Sequence, residues 1–217
     1  LFPANPEGAS PYSPSSRRWL NILYIDVSSV PEFSLSAEAQ QTVGSTEFQQ
    51  RLQKARESHW VNYTEVSDLK MSILPLLFTE FKKRHLDKNS DRAQEFLAFA
   101  EKGGDSLTQQ AAFDALHADL HSEDSGMWGW PVFPEKYRTF DSPATQKFIK
   151  DSQEKVQLYM YLQWLADCQI DDAQRLAEEK GMAVGLYRDL AVGVADSGSE
   201  TWADEGNLVM DASIGAP

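Results

Sequence analysis

The chain has 217 residues, with 20 Lys and Arg against 33 Asp and Glu, a formal charge of −13. That balance argues against nucleic acid and anionic membrane as partners, because phosphate groups demand local positive potential. Its basic runs, Arg17-Arg18 and Lys82-Lys83-Arg84, are too short to supply it, whereas a neutral, hydroxyl-rich sugar meets no such penalty. The single cysteine, Cys168, excludes an intrachain disulfide framework and favours a reducing, cytoplasmic setting. No apolar run approaches the ~20 residues that span a bilayer, and no signal-peptide pattern is present. Leu1-Phe2-Pro3 and Gly215-Ala216-Pro217 read as the ends of a fragment.

Residues 1–18 are rich in Pro, Gly and Ser, which is loop chemistry. Trp19 to Val27 is short, apolar and β-branched, and predicts a buried strand or an extended apolar segment. From about 36 to 122 the pattern is helical. Phe48, Leu52 and Ala55 share a stripe behind a capping box of Thr46 and Gln49. Val66, Leu69, Ile73, Leu77 and Phe81 form another, which Pro75 should kink or divide. A short helix over 92–101 should end at Gly103-Gly104, and Ser106 with Gln109 should cap the next. Asp124 to Arg138 is a loop containing Trp128-Gly129-Trp130-Pro131. Ser142 and Pro143 open a long helix, with a break expected near Gln169 and an end at Gly181. Ala183 to Ala195 is the second strand candidate, and an acidic loop follows it.

A helix, an apolar strand and a polar loop in succession make one αβ unit of a parallel sheet, so the expected class is α/β, mostly helical. Two strands cannot close a barrel. The expected parts are a loop and strand over 1–35, a helical insertion over 36–140, and a helix, strand and acidic loop over 141–217. In parallel α/β barrels, sites lie where strands hand over to loops, here 188–202.

The residues alone leave several readings open. Tyr12 stands among Ser10, Ser13, Ser15 and Ser16, where a phenol ring could stack on a pyranose while hydroxyls bond its OH groups, or simply occupy an ordinary loop. Trp128 and Trp130 fit a sugar groove or core packing, while Tyr159, Tyr161 and Trp164 fit the core. Asp189 interrupts an apolar strand, which suits a site residue or an ion pair. Asp196, Glu200, Asp204 and Glu205 read as a solvated loop without calcium-loop spacing. His117 and His121 have the spacing of a metal pair but neither the accompanying Glu nor a third ligand, so no metal or other cofactor is expected. Cys168 reads as a buried small hydrophobe.

Ser10-Pro11-Tyr12-Ser13-Pro14-Ser15-Ser16-Arg17, running on through Leu20 to Asp26, resembles the amylomaltases, the 4-α-glucanotransferases of glycoside hydrolase family 77. So does Gly185-Leu186-Tyr187-Arg188-Asp189-Leu190-Ala191-Val192-Gly193-Val194-Ala195, followed by Glu200-Thr201-Trp202 and Ser213-Ile214-Gly215-Ala216-Pro217. Gln110 to Leu116, Trp128 to Pro131 and Leu162 to Leu165 fall between them in the family's order. The resemblance implies a (β/α)₈ barrel with helical insertions, acting on maltooligosaccharides and other α-1,4-glucans by a retaining double displacement. It implies that Tyr12 lines the donor subsites and that Asp189 hydrogen-bonds the sugar beside the scissile bond. The family's nucleophile and acid/base come later in its sequence, so this chain should carry no catalytic residue and have no activity alone. The competing expectations are a non-catalytic helical module that binds carbohydrate or regulates, and an interaction scaffold.

Overall fold

A computed structural model of the chain describes residues 2–3, 12–204, 206 and 208. It is mostly helical. A short antiparallel pair, β1 (Phe2–Pro3) and β2 (Pro14–Ser16), precedes α1 (Ala37–Gly44), α2 (Thr46–Glu57), α3 (Tyr63–Met71), α4 (Leu74–Arg84) and α5 (Asp91–Glu123). The helices α6 (Pro143–Asp151), α7 (Gln153–Glu179) and α8 (Ser199–Ala203) follow. Ser10 and Pro11 of the tyrosine loop, and the Ser213–Pro217 motif, lie outside the described residues.

Local chemistry sets the helix ends. The cap of α2 is Ser45, one residue ahead of the expected Thr46, and its Oγ accepts from the Phe48 N–H at 3.2 Å. Ser142 caps α6 as expected, accepting from the Thr145 N–H at 3.1 Å. Pro75 divides its helical stretch rather than kinking it: α3 stops at Met71, and Pro75 falls in the first turn of α4, where a missing N–H costs no hydrogen bond. As expected, a helix ends at Gly103-Gly104: Gly104, at φ 53° and ψ −140°, is non-helical and separates two helical stretches within α5. Ser106 lies inside the second stretch, where its Oγ accepts the Trp19 indole N–H at 3.2 Å. The break expected near Gln169 falls earlier, at Ser152 between α6 and α7.

Neither longer strand candidate is a strand. The first contains 3₁₀ turns at Ile22–Tyr24 and Val27–Ser29. The second runs without regular structure, with Tyr187 94% exposed and Leu190 and Val192 each 68% exposed. A strand exists only where a neighbour takes up its backbone groups. For the first segment a side chain does so: Gln163 Oε1 accepts from the Leu20 N–H at 2.9 Å, and its Nε2 donates to the Leu20 carbonyl at 3.0 Å.

The chain divides into two compact units, Leu1–Ile22 with Gly103–Pro217, and Leu23–Lys102. The helical insertion expected over 36–140 overlaps the second over 36–102. Within the first unit, Ala112, Phe113, Leu116, Phe133 and Trp202 form a core cluster, and Ala111, Ala115 and Val156 form another. Phe113 meets Trp202 edge-on at 5.5 Å between ring centroids. Within the second unit, Leu74, Leu77, Phe78, Phe81 and Phe96 are buried, with Phe81 and Phe96 packed edge-on at 5.5 Å. There the Arg92 guanidinium closes on the fully buried Glu32 carboxylate through Nε at 2.6 Å and Nη2 at 3.0 Å.

Candidate functional site

Two distant stretches meet in the first unit. The Pro14 carbonyl accepts from the Ala195 N–H at 2.8 Å. Ser15, fully buried, accepts the Ser199 N–H on its Oγ at 2.8 Å. Gly198 permits this approach, since a Cβ there would lie 2.6 Å from the Ser15 Cα and carbonyl oxygen. Arg17 completes the junction. Its N–H donates to Glu200 Oε2 at 2.9 Å, its guanidinium reaches Oε1 at 2.5 Å and 3.0 Å, and Nη1 donates to the Val192 carbonyl at 3.3 Å. Burial pushes the Glu200 carboxyl upward, but these Arg17 contacts outweigh it and hold the group below the usual carboxylate range.

The Tyr12 loop and the segment that follows Asp189 thus share one anchor. Tyr12 sits in the turn before β2, 72% exposed. Asp189 is exposed too, and its Oδ1 accepts from the Leu190 N–H at 2.9 Å. An exposed phenol and an exposed carboxylate acceptor each suit a ligand with a flat CH face rimmed by hydroxyls.

The remaining candidates separate into packing and surface. Trp130 packs against the core, with its indole N–H donated to Thr201 Oγ1 at 2.9 Å, while Trp128 is 46% exposed. Trp202 is buried and donates to the Tyr137 carbonyl at 2.8 Å. Tyr161 and Trp164 are buried, and Tyr159 is partly so. Cys168 is half-buried rather than buried. His117 Nε2 lies 2.8 Å from the Met127 carbonyl, so that nitrogen is engaged as a donor. Burial takes His117 down to about 4, against the Met127 bond, which opposes it. Among the described residues no group of three His, Cys, Asp or Glu side chains could hold a metal ion.

Sequence reasoning missed Arg17 and Glu200 as partners. It placed Glu200 in a solvated loop, although one cation ending the hydroxyl loop and one carboxylate two residues before Trp202 were there to be paired.

All 217 residues match the profile of a family described as 4-alpha-glucanotransferase. A 4-alpha-glucanotransferase from Haemophilus influenzae is 34% identical over 220 residues, covering 100% of this chain and 31% of that protein. One from Mycobacterium bovis is 29% identical over 219 residues, covering 99% of this chain and 28% of the relative. The crystal structure of amylomaltase from Corynebacterium glutamicum superposes with a TM-score of 0.68 at 27% identity, over 95% of this chain and 26% of that one. That neighbour has the TIM-barrel fold of glycoside hydrolase family 77, so the chain is similar to a mostly helical part of it. The chain spans about a third of the length of these relatives.

Proposed function

Because the chain belongs to the 4-α-glucanotransferase family, we propose that it supplies part of the sugar-binding face of an amylomaltase that moves α-1,4-glucan segments between maltooligosaccharides. The observation that carries this reading is the junction of Pro14, Ser15 and Arg17 with Val192, Ala195, Ser199 and Glu200, which anchors the Tyr12 loop and the Asp189 segment together. In this reading Tyr12 stacks on a glucose ring and Asp189 accepts hydrogen bonds from its hydroxyls. The substrates are neutral, which agrees with the acidic composition. Among the described residues no helix is long and apolar enough to cross a membrane, and the reading places the enzyme in cytoplasmic maltose and glycogen metabolism.

The reaction retains configuration through two displacements and needs a pair of carboxylates about 5 Å apart across the scissile bond. Asp189 is assigned to sugar binding here, and Glu200 is held by Arg17, so neither is given those roles. The nucleophile and the acid/base belong to the rest of the enzyme. Two measurements test this. Tyr12→Ala and Asp189→Asn in the enzyme that carries this segment should each cut disproportionation of maltotriose at least tenfold while leaving the melting temperature within a few degrees; near-normal turnover in both removes them from the site. The 217 residues by themselves should produce no glucose from maltotriose, and production above background contradicts the assignment.

A further inference from the structure

Behind the junction lies a buried chain of hydrogen bonds that touches no candidate sugar ligand. Gln110, on α5, is 1% exposed and uses both ends of its amide. Nε2 donates to Asp114 Oδ2 at 2.9 Å, which turns Oε1 toward Ser199, whose hydroxyl donates to it. The Ser15 carbonyl also lies 3.2 Å from the Ser199 hydroxyl, but a hydroxyl has one proton, and Gln110 is the closer acceptor. The Ser199 oxygen is then free to accept from Ser15 Oγ–H, 3.2 Å away. Every proton in the series points inward, from Ser15 to Ser199 to Gln110, and the series ends on Asp114, which is 6% exposed. Ordered polarity of this kind is worth more than isolated pairs, because each committed proton fixes the role of the next group.

The two outer members belong to the two arms of the candidate site. Ser15 lies three residues after Tyr12, and Ser199 ten residues after Asp189. We propose that Gln110 is a positioning residue, whose amide, held by Asp114, sets the seat on which both sugar-gripping arms rest. The inference rests on the sugar-binding reading of Tyr12 and Asp189. Gln110 contacts neither arm's ligand groups. It acts by presenting an acceptor to Ser199, and it can do so only while its own N–H groups face a second acceptor on Asp114.

An isosteric exchange tests this. Gln110→Glu keeps an oxygen toward Ser199 but sets a carboxylate against Asp114, whereas Gln110→Glu with Asp114→Asn restores a donor opposite an acceptor: the proton between positions 110 and 114 runs the other way, while Ser199 still donates to an oxygen at position 110. Assays in the enzyme that carries this segment are run from pH 8 to about 10, because two facing carboxylates hold a shared proton above the value of about 7 that Asp114 has beside Gln110, and KM is compared at the upper end, where that proton is lost. Gln110→Glu is expected to raise KM for maltotriose about tenfold with kcat within threefold, because the chain seats binding groups and not the reacting carboxylates. The exchanged double variant should return KM to within threefold of the parent. A wild-type KM in Gln110→Glu overturns the proposal. So does a fall in kcat at unchanged KM with a lowered melting temperature, which is the signature of a core residue that only reduces the folded fraction. A double variant as impaired as the single also overturns it. Tyr12→Ala, assayed in parallel, separates the two levels. Loss in Tyr12→Ala with normal Gln110→Glu refutes Gln110 alone, and no loss in either refutes the site as well.

Discussion

Asp114 and His117 share α5, and burial moves them in opposite directions, Asp114 up to about 7 from 3.8 and His117 down to about 4 from 6.5. Between roughly pH 4 and 7, folded Asp114 holds a proton that the unfolded chain releases, so its contribution to stability falls as pH rises. Between roughly pH 4 and 6.5, unfolded His117 binds a proton that the folded chain refuses, so its contribution rises with pH. The two slopes oppose each other, each at most about 1.4 kcal/mol per pH unit. Urea unfolding from pH 4.5 to 6.5 should therefore show stability climbing more steeply with pH in Asp114→Asn than in the parent, and less steeply in His117→Gln. The reverse order would contradict the burial of both groups. The sequence shows both residues but not this behaviour, because a 3.6-residue pattern says which side faces inward and nothing of what awaits it there. Tyr12 and Asp189 were readable as candidates through family motifs. Arg17 and Glu200 were not readable as a pair, since 183 positions separate them and only the folded chain makes them neighbours.

Helices announced themselves better than strands for a related reason. A helix satisfies its own backbone, so Ser142-Pro143 and the apolar stripe of α4 sufficed to place it. The segments over 19–27 and 183–195 have strand composition, but a strand needs neighbours that composition does not supply. In the helical unit, the clip between Arg92 and Glu32 yields a separate expectation. Removing Arg92 takes from the buried Glu32 carboxylate its nearer cation and leaves His85 Nε2 at 3.8 Å, a loss of up to about 3–5 kcal/mol. Arg92→Met should thus lower unfolding free energy in urea by that amount, and adding Glu32→Leu should restore most of it; an unaffected single variant would show that the clip is not closed in solution. At the junction, Gly198→Ala would press a methyl group to within 2.6 Å of Ser15 backbone atoms. Such overpacking costs about 1–3 kcal/mol. It should separate β2 from α8 and reduce kcat/KM for maltotriose, whereas Gly206→Ala, whose Cβ meets no atom of the described residues within 4 Å, should not.

Taken entire, the chain exposes a run of apolar side chains after α7. Val184, Tyr187, Leu190 and Val192 are each at least 68% exposed, and the chain covers 31% of a relative that is 34% identical to it. Exposed apolar side chains in one run mark surfaces that other protein covers. The 217-residue chain should therefore enhance the fluorescence of a hydrophobic dye such as ANS more than the enzyme carrying it does, and Tyr187→Ser with Val192→Ser should reduce that enhancement. The central claim is that the Tyr12 loop and the Asp189 segment grip one sugar together. A double-mutant cycle on kcat/KM for maltotriose, with Tyr12→Ala and Asp189→Asn made singly and jointly in that enzyme, tests it most directly. Residues that share a ligand couple by about 0.5–3 kcal/mol. The joint variant should lose clearly less than the product of the two single losses, and strictly multiplicative losses would show that the two residues do not act on the same ring.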